Sequence, residues 1–185
     1  IGYEKDAFLH YLDLGPQIKS LNKYTKQALS NKHASGSLAN FKGEPDINKL
    51  GKMNQVLTKG QQILVQIVKE PISTKGPRLT CELSIAGRYM VLVPFSNAIN
   101  ISKKITDGEE RKRLLRLISS IKPENFGCII RTVAKGKNVT ELDKDLRNLE
   151  ETWKQGIKKL HSTKPREKVI GEMSRASSLL RDILN

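Results

Sequence analysis

Cysteine is scarce in this chain, and so are aromatic residues, acidic clusters and long apolar runs. The 185 residues include two cysteines, one tryptophan and 5% aromatic residues in all. Cys81 and Cys128 lie in separate apolar runs without clustered histidines. They therefore do not make a zinc site, and small reduced core residues suit them better than a disulfide. No apolar run approaches the ~20 residues that a membrane-spanning helix needs, and the opening residues do not read as a signal peptide. Asn138-Val139-Thr140 matches the glycosylation triplet but reads as a helix start. Catalytic signatures are missing as well. His10, His33 and His161 stand alone, and there is no Gly-rich phosphate loop, Cys–His pair or Gly-x-Ser-x-Gly. Asp143, Asp145, Glu150 and Glu151 fall largely off the apolar stripe of a predicted helix. They read as a solvated face, not as the clustered carboxylates that a metal-dependent nuclease uses. Taken alone, these residues give no case for catalysis.

Positive charge is what the chain has in excess. Lys and Arg number 33 against 19 Asp and Glu, a formal charge of +14. That balance calls for a polyanionic partner, either nucleic acid or an anionic membrane surface. Residues 1–80 carry 12 basic and 6 acidic groups and the remainder 21 and 13, so the excess is not a basic tail on a neutral domain. With 37% hydrophobic and 28% charged residues, the chain should bury a core.

Periodicity orders the elements. Residues 8–12 form a short strand candidate. Residues 15–60 are rich in Lys, Asn, Ser and Gly, which predicts a long basic loop with one weak helix near 18–29, its 15–58 stretch mobile in the absence of RNA and cut first by a protease. The runs 62–70, 78–85, 89–93 and 128–132 predict strands, and 99–101 a short edge strand. A helix should start at Asp107, with Glu110 completing a capping box, and bury Leu114, Leu117, Ile118 and Ile121. A longer one should start at Asn138 with Glu141, and its stripe is Val139, Leu142, Leu146, Leu149, Trp153, Ile157 and Leu160. A third, from about Ser174, carries Ala176, Leu179, Leu180, Ile183 and Leu184. Strands followed by helix, strand and helix give an α+β chain. Ile1 to Tyr3 reads as the tail of a strand, and the last helix runs to the final residue, so the chain reads as a piece of a longer one.

Two places have binding chemistry. Tyr3, Phe8 and Tyr11 lie beside Lys5 and His10, aromatic faces and cations suited to stacking on single-stranded bases. A core role for Phe8 with solvating charges fits equally. Arg131-Thr132 closes an apolar strand ahead of Ala134-Lys135-Gly136-Lys137. Guanidinium, hydroxyl and backbone amides suit a terminal phosphate, although a surface ion pair would also put Arg there.

Taken in order, these pieces resemble a known family. Gly2-Tyr3-Glu4-Lys5-Asp6-Ala7-Phe8-Leu9, Gly60-Gln61, Val65 to Glu70 and Thr74 to Thr80 resemble the S1-type OB fold of bacterial ribonuclease E/G enzymes. Ile85 to Pro94, Ile101-Ser102-Lys103-Lys104-Ile105 and Gly127 to Thr132 resemble the adjoining 5′-sensor domain. The resemblance implies an incomplete OB-fold β-barrel over residues 1–86, interrupted by a long basic insertion at 15–58. A small α+β 5′-sensor domain would follow over 87–170, and a ribonuclease-H-like segment would begin at 171–185. It also implies single-stranded RNA as partner. Phe8, Lys69 and Lys75 match RNA-binding positions of the OB fold. Arg131 and Thr132 match the 5′-monophosphate pocket, and Gly87, Val91 and Lys103 match its contacts to the terminal nucleotide. The family can have Arg where Lys103 stands, so a point charge replaces a planar fork.

The parent protein implied is a homo-oligomeric endoribonuclease of the bacterial cytoplasm, acting in RNA processing and decay. Its magnesium-binding catalytic aspartates and zinc-linking cysteines would lie beyond Asn185, leaving this chain with no cofactor and no catalytic residue of its own. The rival readings are a stand-alone RNA-binding or ribosome-associated protein, and a protein of anionic membranes. The second would need a basic helix with an exposed apolar face, whereas the long helix has Trp153 in a stripe that a sheet could bury.

Overall fold

The computed structural model describes residues 1–31 and 34–171. The helix predicted from Ser174 and the segment assigned to a ribonuclease-H-like start lie, but for residue 171, outside them. The described residues form a mixed α+β structure with three α-helices and two small open sheets, and no closed barrel occurs among them. The chain divides into two compact units. One is built from Ile1–Leu83 with Ile157–Val169, the other from Ser84–Gly156.

In the first unit, β1 (Gln66–Lys69) pairs antiparallel with β2 (Arg78–Thr80), with a register shift between Ile67 and Lys69. The expected strand at 8–12 is not there. Phe8 makes a single parallel bridge to Arg78, and Tyr11–Leu14 wind into a 3₁₀ turn that His10 caps by accepting from the Leu12 amide. The reason is local: a capping side chain and a short turn satisfy the backbone that a strand would have left to a neighbour.

The loop predicted at 15–60 holds more structure than its composition suggests. Helix α1 (Ile18–Ser30) buries Ile18, Leu21, Tyr24, Thr25 and Ala28. These sit at steps of three, three, one and three, a helical stripe partly written in Thr and Tyr and therefore hidden among polar neighbours. Ser20 Oγ accepts from the Glu44 amide at 2.8 Å, and the Tyr24 hydroxyl donates to the Ser37 carbonyl at 3.2 Å. Leu38 is buried. The following segment is thus tied to α1, which corrects the expectation of a loop without periodicity.

In the second unit the strand order is β3 (Ile85–Ala86), β4 (Met90–Pro94), β6 (Phe126–Ile130) and β5 (Ile99–Ile101). β4 runs antiparallel to β3 and β6, and β5 runs parallel to β6. Met90 and Leu92 alternate with half-buried Val91 and Val93. One face is core, and the other is partly open. The predicted run 78–85 is split because Thr80 turns its hydroxyl to the Asp13 carbonyl and the Glu82 amide. Helices α2 (Gly108–Ile121) and α3 (Val139–Leu160) supply the apolar stripes. Leu142, Leu146, Leu149 and Trp153 are all buried, while Val139 at the start of the predicted stripe is 43% exposed. Phe95 and Phe126 both meet the Trp153 ring edge-on, at 5.9 and 6.1 Å between centroids. Each fully buried large side chain contributes about 1.5–3 kcal/mol.

Asn138 Oδ1 accepts from the Glu141 amide and Glu141 returns a bond to the Asn138 amide, a complete capping box. Asp107 caps α2 through the Glu109 and Glu110 amides. Glu110 does not complete that box. Its carboxylate binds Arg113 at 2.7 Å and the Gly136 amide at 2.8 Å.

Candidate nucleic-acid interface

In the first unit, the ladder places Phe8 and Lys69 on either side of Arg78, since both pair with it. Directly paired residues face the same way. The row therefore presents an aromatic ring, the Lys69 cation and an Arg78 guanidinium already paired with a carboxylate, and Phe8 is 60% exposed. Arg78 holds Asp13 with two bonds of 3.0 and 2.9 Å, which keeps the Asp13 carboxyl below its ordinary range. Lys75 stands apart, in the turn between β1 and β2, where its backbone exchanges bonds with Ile72. Lys5 Nζ donates to the Ser73 carbonyl in that same turn.

In the second unit, Arg131 leaves the end of β6 and folds onto the turn before β4. Its Nη1 donates to the Gly87 carbonyl at 2.8 Å and the Arg88 carbonyl at 3.1 Å, and its own amide donates to the Tyr89 carbonyl. Two acceptors on one nitrogen fix the plane of the guanidinium. Thr132, the next residue, shares a 3.1 Å hydroxyl–hydroxyl bond with Ser102. Ser102 lies against β6 because its amide donates to the Ile130 carbonyl. Exposed Lys103 follows it. Val91 pairs with Ala86 on one side and Ile129 on the other. Arg131 is thus brought onto the Gly87 turn while Thr132 turns to Ser102 after β5, with Lys103 at the same end of the sheet and Val91 further along β4.

Four supporting residues, Asp145, Arg111, Arg113 and Ser102, were not expected from the sequence. Asp145 was expected on a solvated face. Its carboxylate instead accepts from the Arg88, Tyr89 and Met90 amides at 3.1, 2.8 and 3.3 Å. It fixes the turn whose carbonyls hold Arg131. A Cβ on Gly87 would come within 2.6 Å of Asp145 Oδ2, so this glycine is needed for close packing whatever else it touches. Asp143, Glu150 and Glu151 do behave as helix-surface groups, bonded to Arg147, Lys154 and Gln155 four residues on. Arg111 donates to the Ser102 and Ile105 carbonyls, and Arg113 to the Lys137 carbonyl, so α2 holds the loops that follow β5 and β6. The Arg113 guanidinium and the Gly136 amide hold the Glu110 carboxyl down at about 2. Ser102 gave one faint signal, a hydroxyl at a strand end. Asp145 acts on a turn 55 to 57 residues earlier and gave none, and Arg111, only nine and six residues from the carbonyls it holds, carried no motif that marked it.

The family model for the ribonuclease E/G family matches residues 84–185. The chain is 30% identical to ribonuclease G of Escherichia coli over 182 residues, 98% of its length. It belongs to the ribonuclease E/G family. It is also 29% identical to ribonuclease G of Haemophilus influenzae over 184 residues, and 35% identical to ribonuclease E of Synechocystis over 150 residues, 81% of the chain. The chain spans 34%, 33% and 18% of the lengths of the Haemophilus, Escherichia and Synechocystis proteins respectively.

The magnesium and zinc implied by the family resemblance do not fit the residues described. No group of three or more His, Cys, Asp or Glu among them could hold a metal ion. Cys81 and Cys128 are buried, and burial pushes their thiols up to about 12 and about 11, away from the thiolate that ligates metal. No helix among the described residues is long and apolar enough to cross a membrane.

Proposed function

We propose that this chain is the substrate-recognising part of a single-strand-specific endoribonuclease acting in RNA processing and decay. On this reading, residues 1–83 include an S1-type OB surface that binds single-stranded RNA. Residues 84–156 contain a sensor for a 5′-monophosphate. The observation that carries it is the Arg131 guanidinium, oriented by the Gly87 and Arg88 carbonyls, with the next residue in a Ser102–Thr132 hydroxyl pair, in a chain of this family. Guanidinium donors and a hydroxyl suit phosphate oxygens, and Val91 with Ile129 offers an apolar surface along the same strands. Phe8 would stack on a base while Lys69 and Lys75 bind phosphates. The parent enzyme is proposed to be a homo-oligomer of the bacterial cytoplasm. Its metal-dependent step belongs to a part of the parent outside the described residues.

The test compares one short RNA with a 5′-monophosphate and with a 5′-hydroxyl. Wild type should bind the monophosphate form better. Arg131→Ala should lower that affinity by about one to two powers of ten and erase the ratio between the two RNAs. Thr132→Val should reduce the ratio less. Equal losses for both RNAs with a falling melting temperature would make Arg131 a structural clamp only.

A further inference from the structure

Helix α1 carries three lysines and no acidic residue. Lys19, Lys23 and Lys26 recur at steps of four and three, on the side away from the buried Ile18, Leu21, Tyr24 and Ala28. At 1.5 Å per residue they span about 10 Å of helix axis. Lys23 Nζ donates to the Lys42 carbonyl at 3.0 Å, so the 41–44 segment runs beside this lysine face. The Phe41 ring lies within the cluster. Lys23 Nζ is 5.8 Å from its centroid, and Tyr24 meets it edge-on at 5.2 Å and 84°. Phe41 is only half-buried. Glu44, at 2.6 Å from Lys23, offsets one of the four charges and leaves the cluster cationic.

A half-exposed ring, fixed by a buried tyrosine and set among lysines on a rigid helix, is the arrangement that binds single strands by stacking and backbone charge. A membrane surface would need an exposed apolar face on α1, and that face is buried. We propose that α1 and the 41–44 segment form a further single-stranded RNA site, separate from the Phe8–Arg78–Lys69 row and from Arg131. One base stacks on Phe41, and neighbouring phosphates meet Lys19, Lys26 and Lys42. This site rests on the reading that the chain binds RNA. The same charge continues where His161 Nδ1 lies 2.9 Å from the Leu29 carbonyl, bringing the basic 158–168 segment to the C-terminal end of α1, where cations are favoured.

The experiment uses the 185-residue chain and a 5′-hydroxyl single-stranded RNA, which takes the 5′-phosphate pocket out of the comparison. Lys19→Ala/Lys26→Ala/Lys42→Ala should weaken binding at low salt. It should also flatten the slope of log affinity against log salt by about 0.7 for each phosphate that is no longer neutralised. Phe41→Leu, which keeps an apolar neighbour for Tyr24, should lose roughly tenfold in affinity with little change in slope. In both variants the ratio between 5′-monophosphate and 5′-hydroxyl RNA should stay at the wild-type value. RNA binding by the triple variant with unchanged affinity and slope overturns the site, and because those lysines lie on the surface the result stands even if Phe41→Leu folds poorly. Binding of wild type to phosphatidylserine vesicles that the triple variant loses, with RNA binding intact, also overturns it. Failure of wild type to bind any RNA would instead overturn the proposed function.

Discussion

The two compact units handle charge differently. Residues 84–156 hold 14 basic and 9 acidic side chains, and five of those acids sit in ion pairs, with Lys112, Arg113, Lys137, Arg147 and Lys154. Residues 1–83 with 157–169 hold 17 basic and 8 acidic side chains, and their described ion pairs are Lys23–Glu44 and Arg78–Asp13. Apolar surface divides less sharply. The first unit buries Leu14, Ile18 and Leu38 as fully as the second buries Trp153 and Phe126, but its sheet leaves Ile67 and Val68 53% and 49% exposed. Exposed ion pairs are worth little to stability. What pairing does is withdraw cations from a polyanion's reach. The unit with the thinner sheet keeps its cations available.

That contrast can be broken by mutation. Trp153→Ala should cost about 3–5 kcal/mol, because it empties the space between Phe95 and Phe126. Ile67→Ala should change stability by less than about 0.5 kcal/mol. Urea denaturation of both variants reads the difference, and equal losses would mean that β1 is packed as tightly as the Trp153 site.

A smaller effect is expected at Asp145. Asp145→Ala leaves three backbone amides without their carboxylate and should cost roughly 2–3 kcal/mol. It should also reduce discrimination between 5′-monophosphate and 5′-hydroxyl RNA, since it frees the turn that holds Arg131. Lost stability with intact discrimination would show that the clamp stands without its support.

The smallest effect is one of pH. Glu110 has a folded-state value of about 2 against an ordinary 4.5. A depressed carboxyl contributes stability that is complete above its unfolded value and is lost as pH falls toward its folded value. The melting-temperature gap between wild type and Glu110→Gln should therefore be constant above pH 4.5 and close on the way to pH 2. A gap independent of pH over that window would remove the charge from the account.

Much of the second unit was legible because its signals are local. The α3 stripe and the Asn138–Glu141 box lie within a few residues of each other, and Asp107 announces α2. The first unit was harder. The stripe of α1 includes Thr25 and Tyr24, and its three lysines and Asn22 masked the period. The predicted strand at 8–12 has the right residue types but finds a neighbour only at Phe8. At the candidate site, Arg131 and Thr132 could be named from a strand end. The Gly87 and Arg88 carbonyls that aim Arg131 lie more than forty residues earlier, and Asp145 fourteen later. Only folding brings those together.

The bond from Arg131 to two carbonyls also bears on how fast an anion could leave. A free arginine side chain carries about 2 kcal/mol of rotamer entropy, lost when a ligand immobilises it. Here much of that ordering happens when the chain folds, before any ligand arrives. An anion at this end of the sheet would meet a donor already in place. Recognition would then show itself in residence time more than in association rate, and a lysine at 131, equal in charge, would bring its disorder to the encounter.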